Sequence, residues 1–326
     1  MPKTPLTMAD LAREAGVSKI TVSRALSNHP LVKPATRERI RALAEERGYK
    51  FNVAARNLRL QRTQTIAVVI EMIPTASRPI GEPYPLALLG GIIQELATAG
   101  YSAVLSTADN FVRVPPSVDG VILLGQGVHD DAVTNIERCK LPLIIWGSVR
   151  NDSRHVIVGS DNVTGGALVA QRLATLGRRR AVFLGDVGYT EMADRFDGFT
   201  ERLASNGGQL LAAEACPFTF EDGYQHMAHL IDRFGDTIDG VFGCNDAIAM
   251  GAIRALTEAK RHVPDDVTVI GFDDSASAAL FLPALTTIRQ DWHEGGRLLA
   301  RKALAMAQGE NPLPEQMPVS LIVRSS

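Results

Sequence analysis

Residues 7–26 read TMADLAREAGVSKITVSRAL, and the spacing within them decides how the first part of the chain folds. Thr7 and Asp10 stand in the T-x-x-D arrangement of a capping box, in which a hydroxyl and a carboxylate three residues apart each satisfy the other's backbone amide. Met8, Leu11, Ala12 and Ala15 then recur at i, i+3, i+4 and i+7, one apolar face of a helix. Gly16 breaks that helix and Ser18 is placed to cap the next, leaving room only for a tight turn. On the second helix Val22, Ala25 and Leu26 share a face. At 100° per residue Ile20 and Arg24 point the opposite way, with Ser23 beside them and Lys19 at the helix start. A third helix follows Pro34, which suits a first turn; it carries Ile40, Leu43 and Ala44 inward and ends near Gly48.

An outward isoleucine beside an arginine calls for a partner. In a helix–turn–helix the outward face of the second helix enters the major groove. There Arg24 can pair with guanine O6/N7 and Ile20 can touch a thymine methyl. Thr21, Ser23 and Asn28 are short donors suited to phosphates, which set register rather than specify sequence. Charge is arranged in the same sense. Residues 1–62 hold 13 basic and 5 acidic side chains, a net of +8, and the remainder 21 and 31, a net of −10. A basic head on an acidic body is what phosphate binding at one end requires, although charge alone also fits a solvated surface. Residues 52–60, NVAARNLRL, can form a short helix that would be marginal alone. It offers Arg56 and Arg59 to phosphates, the small Ala54 and Ala55, and Leu58; a flexible linker is the other reading.

From Thr65 onward short apolar runs (66–70, 103–106, 120–124, 143–146, 181–184, 240–243 and 267–272) alternate with amphipathic stretches near 86–99, 164–176, 194–205, 222–234, 246–259 and 292–307. Such alternation implies an α/β body of doubly wound parallel sheets behind a small all-α head. The chain therefore divides into a head (1–50), a connector (51–63) and a body (64–326). Three scattered cysteines, no signal-peptide core and no apolar run of membrane-spanning length point to a cytoplasmic protein.

In open α/β sheets ligands lie beyond the carboxyl ends of strands, and polar residues cluster there. Asn245 and Asp246 follow one strand, Asp273 and Asp274 another. Tyr189 and Glu191 occupy a third such loop, with Arg195 opening the helix beyond, and Asp161 and Asn162 begin the segment SDNVTGGALVAQRL. Asp246 reads as a helix N-cap before a ligand, Asp161 as either, and Asp274 as a cap or a crossover anchor. Enzymatic chemistry finds no footing. The seven histidines are dispersed, with no H-E-x-x-H, G-x-S-x-G or P-loop, and His226 and His229 lack a third ligand, so neither metal nor cofactor is expected.

The head, above all A-x-x-A-G-V-S-x-x-T-V-S-R from Ala12 to Arg24, resembles the lactose-repressor/galactose-repressor (LacI/GalR) family of bacterial transcriptional regulators. R-F-D-G-F at 195–199, N-D-A-I-A-M-G at 245–251, G-F-D-D at 271–274, L-T-T-I-R-Q-D at 285–291 and L-I-V-R-S at 321–325 carry the likeness over nearly the whole chain. The resemblance implies a two-lobed body of the periplasmic-binding-protein kind, with lobes of about 64–160 plus 290–318 and 161–288 plus the last strand, joined by three crossovers. It implies a homodimer on a pseudo-palindromic double-stranded operator, read by Lys19, Ile20 and Arg24. Asn52, Ala55 and Arg59 would lie on a minor-groove hinge helix, and the leucine matching Leu58 would wedge between base steps. Arg195, Asn245 and Asp273 match the family's principal effector contacts, Phe218 a stacking aromatic, and Gln290 and Trp292 cleft positions. The function so implied is repression of carbohydrate-utilisation genes under control of a small sugar. A purine or sugar phosphate acting by corepression is the alternative. A free-standing solute-binding protein shares the body's fold, but the head argues against it. Three departures stand out: the pair Lys19–Ile20 differs from that of the best-known member, Lys33 replaces the usual Ser cap, and Gly147 stands where an Asp is frequent.

Overall fold

The computed structural model describes residues 6–26, 30–49, 62–71, 81–150 and 154–326, which fall into two compact units, Met1–Thr63 and Gln64–Ser326. The first unit contains α1 (Met8–Glu14), α2 (Lys19–Leu26) and α3 (Pro34–Glu46). The capping box forms reciprocally: Asp10 N donates to Thr7 Oγ1 at 3.3 Å and Thr7 N to Asp10 Oδ2 at 3.1 Å. Thr21 N donates to Ser18 Oγ at 3.1 Å, so Ser18 does open α2. Lys33 makes no side-chain cap to α3, which starts on Pro34 alone. Leu11, Ala12, Ala15, Val22, Ala25, Val32, Ile40 and Ala44 form one buried cluster, the core that the helical spacing required.

The second unit runs β1 (Thr65–Ile70), α4 (Pro83–Thr98), β2 (Ser102–Thr107), α5 (Ala108–Arg113), β3 (Gly120–Leu124), α6 (Asp131–Glu137), β4 (Leu143–Trp146), β5 (Val156–Ser160) and α7 (Asn162–Thr175). It continues with β6 (Arg180–Leu184), α8 (Thr190–Ser205), β7 (Gln209–Glu214), α9 (Phe220–Phe234), β8 (Gly240–Gly243), α10 (Asp246–Glu258) and β9 (Thr268–Asp273). Last come α11 (Ala276–Leu280), β10 (Thr286–Arg289), α12 (Trp292–Ala307), β11 (Glu315–Met317) and β12 (Ser320–Ile322). Two six-stranded sheets result, in the orders β11-β5-β4-β3-β1-β2 and β12-β10-β9-β8-β6-β7. Every pairing is parallel except β10 with β12. The chain crosses between sheets three times, at 160–162, 289–292 and 317–320, so the body is two α/β lobes. The seven apolar runs are all strands. β5, β7, β10, β11 and β12 escape that reading: β11 and β12 are three-residue edge strands, β10 (TTIR) begins with two threonines, and β5 (VIVGS) and β7 (QLLAAE) carry short apolar runs that the reading left out.

Three helix pairs cover the sheets at unusually close range. In each, a glycine on one helix faces the partner's backbone and is answered by a glycine coming back: Gly91 and Gly296 for α4 with α12, Gly166 and Gly198 for α7 with α8, Gly223 and Gly251 for α9 with α10. A Cβ at any of the six would run into a carbonyl oxygen. Close packing of α8 onto α7 sets where the first two turns of α8, which bear Glu191 and Arg195, meet the space between the lobes.

Candidate functional site

The carboxyl ends of both sheets face a shared cleft. On the second lobe, Arg195 is almost wholly buried. Its Nε donates to Asn162 Oδ1 at 2.8 Å and its Nη1 to the Cys244 carbonyl at 2.5 Å. The guanidinium lies 3.7 Å from the Phe272 ring centroid and 4.0 Å from Asp273 Oδ1. With its neighbours occupied in this way, Arg195 is held rigidly and presents its remaining N–H groups as fixed donors.

Asp273 ends β9 with φ +124°, a region sparsely open to residues with a side chain, and Asp274 follows at φ +55°. Strain of this kind is retained at sites where surrounding structure over-determines it. Burial pushes the Asp273 carboxyl well above the usual carboxylate range, against the pull of Arg195. Burial also raises Glu191 to about 7, opposed by Arg195 and reinforced by Glu71 from the facing lobe. Tyr189 and Phe218 meet edge to face at 5.0 Å. Asn245 is the N-cap of α10: its Oδ1 accepts from Ile248 N at 2.8 Å and its Nδ2 donates to the Phe218 carbonyl at 3.0 Å. One lone pair and one N–H remain for a ligand.

These side chains line a cavity of about 650 Å³ together with Gln290 and Trp292 at the second crossover. Eight of the nine effector residues anticipated from the sequence are therefore brought together: Arg195, Asn245, Asp273, Phe218, Trp292, Gln290, Glu191 and Tyr189. Asp161 is the correction. Its Oδ1 accepts from Thr164 N at 3.0 Å and its Oδ2 from Thr164 Oγ1 at 2.8 Å, so it caps α7 and lies outside the cavity lining. Asp246 is not the N-cap of α10 either. Its carboxylate accepts from Ser275 N at 2.7 Å and Thr287 Oγ1 at 2.5 Å, tying α10 to the segments after β9 and in β10, and burial raises it to about 6. Asp274 anchors the crossover side as one reading held, accepting from Arg289 Nε at 2.6 Å and Arg324 Nη2 at 2.5 Å.

Apart from Gln290 and Trp292, the first lobe's share of the wall went unread in the sequence: Glu71, Glu82, Tyr84, Gly125, Gln126 and Trp146. Glu71 directly follows β1, so the rule that located Asn245 applied to it equally. Gln126 explains the departure at Gly147. A Cβ there would collide with the Gln126 side chain, whose Oε1 accepts from Ser148 N at 2.6 Å and whose Nε2 donates to Asp130 at 2.9 Å. The rim is fastened between lobes as well. Ser148 Oγ donates to Asp194, which Arg150 approaches at 3.3 Å, Thr190 Oγ1 donates to Asp130 at 3.3 Å, and His129 N donates to the Gly188 carbonyl at 3.1 Å. Among the described residues no cluster of His, Cys, Asp and Glu fits a metal ion.

On α2, considered by itself, the face division is as anticipated: Val22 and Ala25 are buried while Lys19, Ile20 and Arg24 are exposed, Ile20 by 53%. Ser23 is half-buried, and Thr21 Oγ1 lies 2.9 Å from Ser18 Oγ within the cap. Asn28, Asn52, Ala55, Leu58 and Arg59 lie outside the described residues.

Comparison with known proteins agrees with both parts. The signature of bacterial regulatory proteins of the lacI family matches residues 7–52, and that of a periplasmic binding protein-like domain matches 170–326. The HTH-type transcriptional regulator CelR of Thermobifida fusca is 31% identical over 335 residues, covering 98% of either chain. The chain belongs to the LacI family of bacterial regulatory proteins. This LacI-family chain is thus a DNA-binding transcriptional regulator and not an enzyme. Among solved structures it is similar to a CelR–cellobiose complex (TM-score 0.73, 29% identity, covering 98% of this chain and 99% of that one). It is also similar to a lac repressor dimer bound to operator and the anti-inducer ONPF (TM-score 0.82, 25% identity, covering 99% of each). No helix among the described residues is long and apolar enough to cross a membrane.

Proposed function

We propose that this regulator is a cytoplasmic homodimer that represses carbohydrate-utilisation genes and is controlled by a neutral sugar in the interlobe cleft. The observation that carries the reading is the pairing of Arg195 with Asp273 at 4.0 Å on one wall, with Phe218 and Trp292 beside them. A fixed cation and a carboxylate side by side match neighbouring hydroxyls of a sugar ring, and an aromatic suits its C–H face. The similarity to a structure of CelR in complex with cellobiose supports the same class. A sugar phosphate fits less well. Among the described cavity residues Arg195 is the one cation, while Glu71, Glu82, Glu191 and Asp273 are carboxylates. In the head, one recognition helix reads few base pairs, so two copies on a pseudo-palindromic operator are required, with Lys19, Ile20 and Arg24 at base edges and Thr21, Ser23 and Asn28 on phosphates. Asn52, Ala55, Leu58 and Arg59 supply the minor-groove element in this reading. The division into head (1–50), connector (51–63) and body (64–326) follows from it.

A thermal-shift screen of neutral sugars, sugar phosphates and purines, followed by operator gel shifts with each hit, tests the reading. The expected result is stabilisation by a neutral sugar that also changes operator affinity; the gel shift gives the sign, induction or corepression. Stabilisation by a purine or sugar phosphate with no response to neutral sugars overturns it. A ligand moves the operator equilibrium only by its differential affinity for the two states of the body.

A further inference from the structure

Beside the cavity that holds Arg195 lies a second, of about 750 Å³, and the two share six wall residues: Glu82, Tyr84, Phe218, Asn245, Asp273 and Trp292. They are compartments of one cleft with different chemistry. The first contains Arg195, Glu191 and Glu71. The walls private to the second include Phe220, Met250, Thr219, Ser275 and Ser277, which are apolar or hydroxylic. The charged group it adds, Asp246, already has both oxygens engaged by Ser275 and Thr287. Phe220 is a large aromatic left 38% exposed there, its ring meeting Phe281 edge to face at 6.4 Å. The shared wall carries one more feature. Trp292 is 92% buried, yet among the described residues its indole Nε1 finds no acceptor. A buried N–H left without an acceptor is unfavourable, and an oxygen of a bound ligand would satisfy it.

We infer that the second compartment is a second sugar-ring subsite, and that the effector is a two-ring glycoside rather than a monosaccharide. The first ring lies against Arg195 and Asp273. The second lies on Phe220 with Ser275 and Ser277 at its hydroxyls, and Trp292 Nε1 donates to an oxygen at the junction of the rings. This rests on the sugar reading and names its ligand class. The subsite has the composition a ring with one polar edge and one apolar face requires: an exposed aromatic face, two hydroxyls 3.0 Å apart, and no uncompensated charge of its own.

The test is calorimetric titration of the whole protein with a panel of neutral monosaccharides and their homologous disaccharides, on wild type, Ser277→Trp and Phe220→Ala. Ser277 is exposed and lines only the second compartment, so a tryptophan there fills the subsite without entering the core. The expected result is a disaccharide bound at least tenfold more tightly than its constituent monosaccharide, with both variants lowering disaccharide affinity at least tenfold and leaving the monosaccharide unchanged. Equal affinity for the two ligands, or equal losses for both in the variants, overturns the subsite while leaving the sugar reading standing. Purine binding with no sugar bound at any length overturns both. Sedimentation run in parallel separates one further outcome: a change of oligomeric state in Ser277→Trp with no change in sugar selectivity assigns this cavity to contact between copies and refutes the subsite.

Discussion

Gln290 donates from Nε2 to Asp273 Oδ1 at 2.7 Å, while its own Oε1 accepts the Ser160 hydroxyl at 2.7 Å. One amide at the second crossover thereby joins the end of a first-lobe strand to the strained carboxylate of the second lobe. Asp273 cannot relax its backbone without loosening that junction, so the residue best placed to sense a ligand is also tied to the lobes' relative position. Coupling of this type gives an effector leverage on the body's conformation through contacts it makes differently in two states.

Replacing Asp273 by Asn keeps an acceptor for Gln290 and a residue type that tolerates positive φ, but removes the charge. A hydrogen bond to a charged group contributes about 1.5–3 kcal/mol. Effector affinity should accordingly fall roughly 10- to 100-fold by calorimetry. An unchanged affinity would remove Asp273 from the contact set.

Protonation should show in stability. Glu191 at about 7 and Asp246 at about 6 both lie above their unfolded values near 4, and Asp273 is displaced in the same direction. A raised folded value means the folded state holds its protons longer, so the stabilising contribution is complete below about pH 4 and is lost as pH rises through 6 and 7. The ligand-free body should melt at a higher temperature at pH 5.5 than at pH 8. Glu191→Gln should flatten the part of the slope nearest pH 7. Glu95 and Asp274, held low by arginines, act in the opposite sense, and only in more acid solution. Melting curves across pH 5–8 that rise with pH would contradict this assignment.

The rim contacts predict an effect without ligand contact. Asp194 accepts from Ser148 and Arg150 of the other lobe and is absent from the wall of either compartment. Asp194→Ala should lower the population of the closed body, and apparent affinity falls by the same fraction, about three- to tenfold. Small-angle scattering of the ligand-free variant should give a larger radius of gyration than wild type. No difference in scattering would show that the rim does not hold the lobes.

Gly198→Ala tests the helix pairing. The added methyl meets the Val163 carbonyl of α7, and overpacking of this sort costs about 1–3 kcal/mol. The melting temperature should drop by several degrees. Effector affinity should drop with it, because α8 carries Glu191 and Arg195. A variant as stable as wild type would mean the helices can separate freely.

On DNA, Arg24→Ala should cost about 1–3 kcal/mol at one base pair of each half-site and relax preference there. Binding-site selection on randomised operators reads this directly; an unaltered preference would refute α2 as the reading helix.

Local spacing in the chain was enough to establish the three-helix head, its capping box, the outward pair Ile20 and Arg24, and the strand–helix alternation of the body. Those features depend on periodicity and on caps within a few residues, and both are written contiguously. The carboxyl-end rule also located most of the second-lobe wall, since Arg195, Asn245 and Asp273 each follow a strand legible as an apolar run. What tertiary structure alone decided is the allocation of hydrogen bonds among residues far apart in the chain. Asp246 became a link to Ser275 and Thr287 because the donors that reach it lie 29 and 41 residues further along the chain. Gly147 is accommodated by Gln126, which enters its space from another strand's end. The six facing glycines, the two compartments and the unmatched indole of Trp292 exist only once helices and lobes pack. Close approach and desolvation are properties of surfaces brought together, and no stretch of neighbouring residues encodes them by itself.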